Sequence, residues 1–289
     1  MNTEYVVRLD GDFGSERIGV KAARLAGLAG EGIRVPDGFA LTAAAYREFV
    51  RETRLDPLIA QWIRRFRAGC DLVVAAAEIR SAFRDAPMPP TLAEEILTAY
   101  DELGGDGTDV AVRCSPVDGA DGVQDEVFLH LRTGADVVAA CRRCFASLFG
   151  TVAVGNREAM GLDHLDAVMP VTVQTMVRAD LGASGTARGE STFVRIRATW
   201  GLGEPPAGDA DLYSVHPGGR PLIVRHRGAK LTKVVYADPR GTRTVPTTYD
   251  ERMALVQVEE LAAETCADDE HLQPGPGHRG SSSSLRSPK

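Results

Sequence analysis

Apolar residues recur at helical spacing through the first hundred positions and at alternate positions from about residue 109, so the chain predicts helices first and a mixed sheet after them. Lys21 to Ala29 is rich in Ala and Leu and predicts a helix. GIRVPDGFALT then predicts a turn into a short strand ending at Thr42, whose hydroxyl is placed to cap the helix AAAYREFVRET. Helices follow at 56–68 and 71–84, and in MPPTLAEEILTAYDEL the run Pro90, Thr91 as N-cap and Glu94 fits a capping box. DVAVRCS and EVFLHLR read as strands, 135–148 as a helix with Val138, Cys141, Phe145 and Leu148 on one face, and AVMPVTVQTMV as a third strand. TFVRIRATW, LYSVHP, PLIVRHR and KVVYAD predict further strands, and YDERMALVQVEELAAET a closing helix. Helices first, then strands mixed with helices, indicate an α+β or α/β enzyme-like architecture. After Leu272 the segment QPGPGHRGSSSSLRSPK has Leu285 as its one large apolar residue and predicts disorder, because it cannot bury enough surface to offset its ordering entropy.

Composition narrows the class. With 289 residues, 44% hydrophobic and 25% charged, the chain has material for one large domain or two moderate ones. No run approaches the roughly 20 apolar residues that span a bilayer, which excludes a transmembrane protein, and MNTEYVVRLDGDF lacks the pattern of a secretory signal. A formal net charge of −7 argues against a general nucleic-acid binder and gives no reason to expect an anionic membrane as partner. Five cysteines are too few for a disulfide scaffold, and the cytoplasm is the expected compartment. Cys141 and Cys144 form a CxxC, but with no second ligand pair they read as small apolar residues on a buried helical face; Cys70 and Cys266 support no chemistry.

Three places are suited to phosphate. Lys21 follows Gly19 and Val20 at the opening of a helix, where amides and an ammonium can meet an anion; a solvated surface lysine fits the same pattern. Arg113 lies in the apolar strand VAVRCS, so it pairs with a buried carboxylate or faces a ligand phosphate. The glycine-rich pair DLGASGTARGE and WGLGEPPAGDAD lets backbone approach a ligand closely and serves ordinary turns equally well. Neither GxxxxGK[ST] nor GxGxxG after a strand is present.

Taken in order, from about residue 17 to 262, these segments resemble the N-terminal ATP-binding domain of the phosphoenolpyruvate synthase and pyruvate phosphate dikinase family. RIGVKAARLAGLAGEGIRVPDGFALTAAAYREF is similar to the family's opening, VAVRCS to its VAVRSS and CFASLF to its ASLF helix. VTVQTMVRADLGASG, ATWGLGE and GAKLTKVVYAD resemble the synthase branch. The resemblance implies an α+β, ATP-grasp-type fold, with subdomain 1 over 1–185, a partial subdomain 2 over 186–270 and a tail over 271–289. It implies that Lys21 and Arg113 contact ATP phosphates, that Gln174 lies in the nucleotide cleft near the adenine, and that Mg²⁺ accompanies the nucleotide. In the family, ATP phosphorylates a histidine on a swivelling domain and a barrel passes the phosphoryl group to pyruvate.

The departures are specific. The loop PVDGADGVQDEV is shorter than the family's and lacks its phosphate-covering GQQxT, with Gln124 as the candidate remnant. Thr151, Val152 and Ala153 stand where the family has DRA, and the strand after DLGASG collapses to TARGEST, losing part of a core strand. The acidic metal ligands, glutamine and arginine that the family supplies near its C-terminus have no counterpart in QPGPGHRGSSSS. None of His130, His164, His216, His226, His271 and His278 sits in the setting of the phosphohistidine domain. The expectation is an ATP-binding module that is weak or inactive alone. The alternatives are an interaction or regulatory protein that reuses the fold, and the ATP-binding subunit of a split enzyme whose partner is a separate phosphohistidine and pyruvate-domain protein.

Overall fold

The computed structural model describes residues 4–117, 126–177, 183–189, 194–202, 209–215, 224–254 and 282–285. The protein is mixed α+β and divides into two compact units, Met1–Met176 and Val177–Lys289.

The first unit is built on a five-stranded antiparallel sheet. Its strands are β1 (Val6–Arg8), β2 (Gly38–Leu41), β3 (Val110–Cys114), β4 (Val127–Leu131) and β5 (Val171–Thr175), in the order β1-β2-β5-β3-β4. The helices are α1 (Ser15–Ile18), α2 (Val20–Gly30), α3 (Ala43–Glu52), α4 (Leu55–Arg67), α5 (Leu72–Asp85), α6 (Pro90–Glu102), α7 (Gly134–Ser147) and α8 (Thr151–Met160). Alternation along the strands sorts side chains onto two faces. Phe39, Leu41, Val110, Val112, Val171 and Val173 face the main core, where Tyr46, Phe49, Phe83 and Phe145 interlock with ring centroids 5.2–6.1 Å apart. The other face carries Val7 and Ala40, which pack with Leu9, Ile18 and Ala22 in a second, smaller core under α1 and α2. The unit thus has one thick and one thin hydrophobic layer, and the candidate site belongs to the thin side.

Thr42 caps α3 as expected, its hydroxyl accepting from the Ala45 amide at 3.3 Å. Thr91 does not cap α6: the helix starts at Pro90 with Pro89 as N-cap and no side-chain capping bond. Proline is suited to that first position because its missing N–H would be unpaired there anyway. The capping box lies instead at Thr248 and Glu251, where both reciprocal bonds form. The stretch Gly134–Met160 is, contrary to the sequence reading, long and apolar enough to cross a membrane by length and composition. It consists of α7 and α8, whose Val137, Cys141, Phe145 and Val154 are buried in the core. Cys141 and Cys144 are fully buried on that helix, and burial pushes both thiols up.

A polar chain fastens α8 to α4. Buried Arg157 donates from Nε to Nδ1 of His164 at 3.1 Å and from Nη2 to the Leu148 carbonyl at 2.7 Å. Because Nδ1 accepts, Nε2 carries the proton and donates to Glu158 at 2.7 Å, and Glu158 also accepts a bidentate bond from Arg67. Burial, reinforced by the neighbouring guanidinium of Arg157, holds the His164 imidazole below its ordinary 6.5. The Arg67 bonds hold Glu158 down to about 2. Both groups bind protons more readily when unfolded, so their contribution is complete above pH 6.5. It is lost in two stages as pH falls, first through the histidine range and then below the ordinary 4.5 of a glutamate. His164→Phe is therefore expected to flatten the pH 5–7 part of the stability curve while leaving the lower part steep. Denaturant melts across that range check it, and an unchanged profile would refute the arrangement.

The second unit has a five-stranded antiparallel sheet of β6 (Ala183–Gly189), β7 (Val194–Trp200), β8 (Asp211–Val215), β9 (Val224–His226) and β12 (Ser282–Leu285), in the order β12-β6-β7-β8-β9. Beside it are the hairpin β10 (Thr232–Tyr236) with β11 (Thr242–Pro246), and the helix α9 (Tyr249–Met253). Residues 183–189, which include the start of TARGEST, form β6 and pair with β7 through seven successive positions. One expectation changes here. Ser282–Leu285, inside the segment predicted to be disordered, pairs with β6 at the sheet edge. The rest of the closing helix beyond residue 254, the tail outside 282–285 and Gln124 lie outside the described residues.

Candidate functional site

The first unit assembles its site where the start of α2 meets the end of β3. Gly19 precedes α2 with φ +81°, and a Cβ there would lie 1.7 Å from the Ser115 carbonyl oxygen. Only glycine can approach the strand this closely in that conformation. The contact is locked by two hydrogen bonds, from the Val20 amide to the Pro116 carbonyl at 3.2 Å and from the Ala22 amide to the Ser115 hydroxyl at 3.2 Å. Lys21, between them and exposed, is thereby fixed beside the strand that carries Arg113. The same bonds alter the expected anion site: two of the first-turn amides of α2 are already used within the protein, leaving the ammonium as the main electrostatic contribution of that helix end.

Arg113 is half-buried, on the face opposite Val112 and Cys114 and therefore on the thin side of the sheet with Ala111 and Ser115. Its register partners are Thr172 on β5 and Val127 on β4. Gln174 occupies the same face one step along β5, opposite Ala111 and Gly38, and its amide donates to the Pro36 carbonyl at 3.3 Å. A Cβ at Gly38 would lie 2.8 Å from the Gln174 Cγ, so this glycine lets β2 pass close to the glutamine stem. The structure therefore brings Lys21, Arg113 and Gln174 to one side of one sheet, with Lys21 and Arg113 at the C-terminal end of β3 and Gln174 towards its start.

Two residues escaped the sequence reading. Thr172, opposite Arg113, is 2% exposed and its hydroxyl has no hydrogen-bond partner among the described residues. Ser115 is the acceptor that holds α2. The signal for Thr172 was present in VTVQT, where polar side chains alternate with valines and so share a face with Gln174.

In the second unit, two of the motif-like segments meet. Gly201 of ATWGLGE bridges Val234 of GAKLTKVVYAD, the Leu202 amide donates to the Val234 carbonyl at 2.8 Å, and a Cβ on Gly201 would lie 2.4 Å from that carbonyl oxygen. Trp200 donates from Nε1 to the Glu251 carbonyl at 2.7 Å, and Lys233 pairs with the Glu251 carboxylate. The same unit holds a buried ion pair: Lys230 and Asp211, both fully buried, meet at 2.5 Å, and Asp211 also accepts from the Gly228 amide at 2.9 Å. Among the described residues no three carboxylate, imidazole or thiol groups converge as a metal ligand set.

Comparison with known proteins accounts for this arrangement of segments. Residues 15–273 match the model of the pyruvate phosphate dikinase AMP/ATP-binding domain. The phosphoenolpyruvate synthase of Pseudomonas aeruginosa is 33% identical across 93% of this chain and 39% of its own length. Those of Deinococcus radiodurans and Escherichia coli are each 34% identical, across 79% and 77% of this chain and 32% and 31% of theirs. The chain spans between three and four tenths of the length of these relatives. It belongs to the pyruvate phosphate dikinase AMP/ATP-binding domain family.

Proposed function

We propose that this chain binds ATP as an ATP-grasp-type module, with Lys21 and Arg113 on the phosphates and Gln174 near the adenine. The observation that carries the reading is the Gly19–Ser115 lock, which holds a lysine and an arginine at the same end of one sheet face. Two cations at one end of a sheet face suit a triphosphate, because phosphoryl transfer depends on positioning and neutralising charge. Mg²⁺ belongs to the proposal as the counter-ion of the nucleotide itself. The division into subdomains over 1–185 and 186–270 is part of the same reading.

The relatives are named phosphoenolpyruvate synthases. By extension, this module serves ATP-dependent phosphoryl transfer to a histidine and then to pyruvate. Its partner is a protein carrying the phosphohistidine and pyruvate domains, and it is weak or inactive alone. We place it in the cytoplasm, in keeping with four described cysteines that are all free thiols.

The test is a thermal-shift titration with ATP, with and without Mg²⁺, on the parent and on Lys21→Ala. At about 100 times Kd, bound ATP adds about 2.7 kcal/mol to the parent. Lys21 is exposed, so its variant should fold equally well and lose most of that increment. Equal increments in both proteins would overturn the assignment of Lys21.

A further inference from the structure

β5 is the central strand of the first unit's sheet, and alternation along it sends Val171 and Val173 into the main core and Thr172 and Gln174 to the thin side. Thr172 is 2% exposed, and its hydroxyl has no hydrogen-bond partner among the described residues. Four other buried hydroxyls do have one: those of Thr42 and Ser115 accept from backbone amides, and those of Ser147 and Thr247 donate to carbonyls. A hydroxyl taken out of water without a partner costs stability. Valine has the same branched outline and a similar aptitude for strands, and it would fill this position without that cost.

The strand register sets Thr172 between two unlike neighbours, Ala40 of β2 and Arg113 of β3. Ala40 belongs to the small apolar core with Ile18 and Ala22 and offers no polar side chain. Arg113 is directly opposite, where the Cβ atoms of paired residues lie about 4.5–5.5 Å apart. A guanidinium carries five N–H donors and no acceptor, whereas a threonine hydroxyl accepts as well as donates, so the two are chemically matched. A guanidinium that meets a phosphate with one edge of its fork keeps N–H groups on the other edge. An acceptor on that second side fixes the direction of the fork.

We propose that Thr172 is a positioning residue, whose hydroxyl accepts from the Arg113 guanidinium when Arg113 meets the phosphates of ATP. The inference rests on the ATP-binding role proposed for Arg113. It makes the position unequal in the two states of the protein: without nucleotide the hydroxyl is a buried cost, and with nucleotide it holds the cation in place. Thr172 touches neither the nucleotide nor a reacting atom in this assignment, and acts through Arg113.

The experiment joins thermal melting without nucleotide to calorimetric titration with ATP and Mg²⁺, both on the full chain. The proteins are the parent, Thr172→Val, Thr172→Ser, Arg113→Gln and the double variant Thr172→Val/Arg113→Gln. Thr172→Val is expected to melt at a higher temperature than the parent and to bind ATP about tenfold less tightly, the worth of one hydrogen bond to a charged group. Thr172→Ser keeps the hydroxyl and is expected to bind ATP within about twofold of the parent. In the Arg113→Gln background, Thr172→Val is expected to cause no further loss. A merely structural threonine would move stability and binding in the same direction, so opposite signs separate the two roles. A lower melting temperature in Thr172→Val would overturn the proposal, as would a tenfold loss that recurs in full in the Arg113→Gln background. Unchanged ATP affinity in Thr172→Val, beside a parent that binds ATP, would overturn this inference and leave the ATP site standing. A parent that binds no ATP would overturn the site and the inference together.

Discussion

Asp211→Ala is expected to destabilise the second unit by about 3–5 kcal/mol. The carboxylate is fully buried, 2.5 Å from an equally buried ammonium, and it also accepts the Gly228 amide. Truncation leaves Lys230 charged in a dry site and an amide without an acceptor, and both costs act together. Lys230→Met should cost a comparable amount for the mirror-image reason. The double variant Asp211→Leu/Lys230→Met should recover much of the loss, because removing both charges removes the desolvation penalty with them. Urea unfolding of the three variants, followed by hydrogen exchange at β8 and β10, gives the coupling directly. Additive losses in the double variant would mean that the two groups do not stabilise one another.

The second large effect is expected at Gly19. Alanine there adds a Cβ 1.7 Å from the Ser115 oxygen in a backbone conformation that L-residues rarely adopt. Strain of this kind costs about 1–3 kcal/mol, and the overlap adds to it by forcing α2 off the strand. Gly27, in the interior of the same helix with nothing within 4 Å of its virtual Cβ, is the internal contrast. Gly27→Ala should stabilise by about 0.5–1 kcal/mol through lost backbone entropy in the unfolded chain. Melting curves separate the two, and the ATP-induced shift should vanish in Gly19→Ala while surviving in Gly27→Ala. Equal behaviour of the two variants would dismiss the Gly19–Ser115 lock as the support of the site.

Much of the fold was legible because burial imposes period on sequence. Helices α3 to α5 and α7 announce themselves through apolar spacing, and Thr42 through its cap. Strands β1 and β11 were not foreseen: β1 has three residues, and β11 is almost wholly exposed, so neither shows alternation strong enough to read. β6 is made of Ala, Ser, Gly, Thr and Arg, so its strand character comes from the partner ladder and not from its own residues. Lys21, Arg113 and Gln174 could be singled out from motifs, but their common face could not. It depends on β5 inserting between β2 and β3, a non-local pairing that no local pattern encodes.

The attachment of α2 to Ser115 and Pro116 has one more consequence. Both acceptors precede residue 118, so the placement of α2 against β3 is set by two consecutive residues after the strand and a glycine, and the length of 118–125 does not enter it. The connection between β3 and β4 is thus a replaceable part. Its residues can be exchanged, shortened or extended while α2 keeps its attachment to the end of β3. Within one scaffold, that connection and the α2–β3 contact can therefore diverge at independent rates.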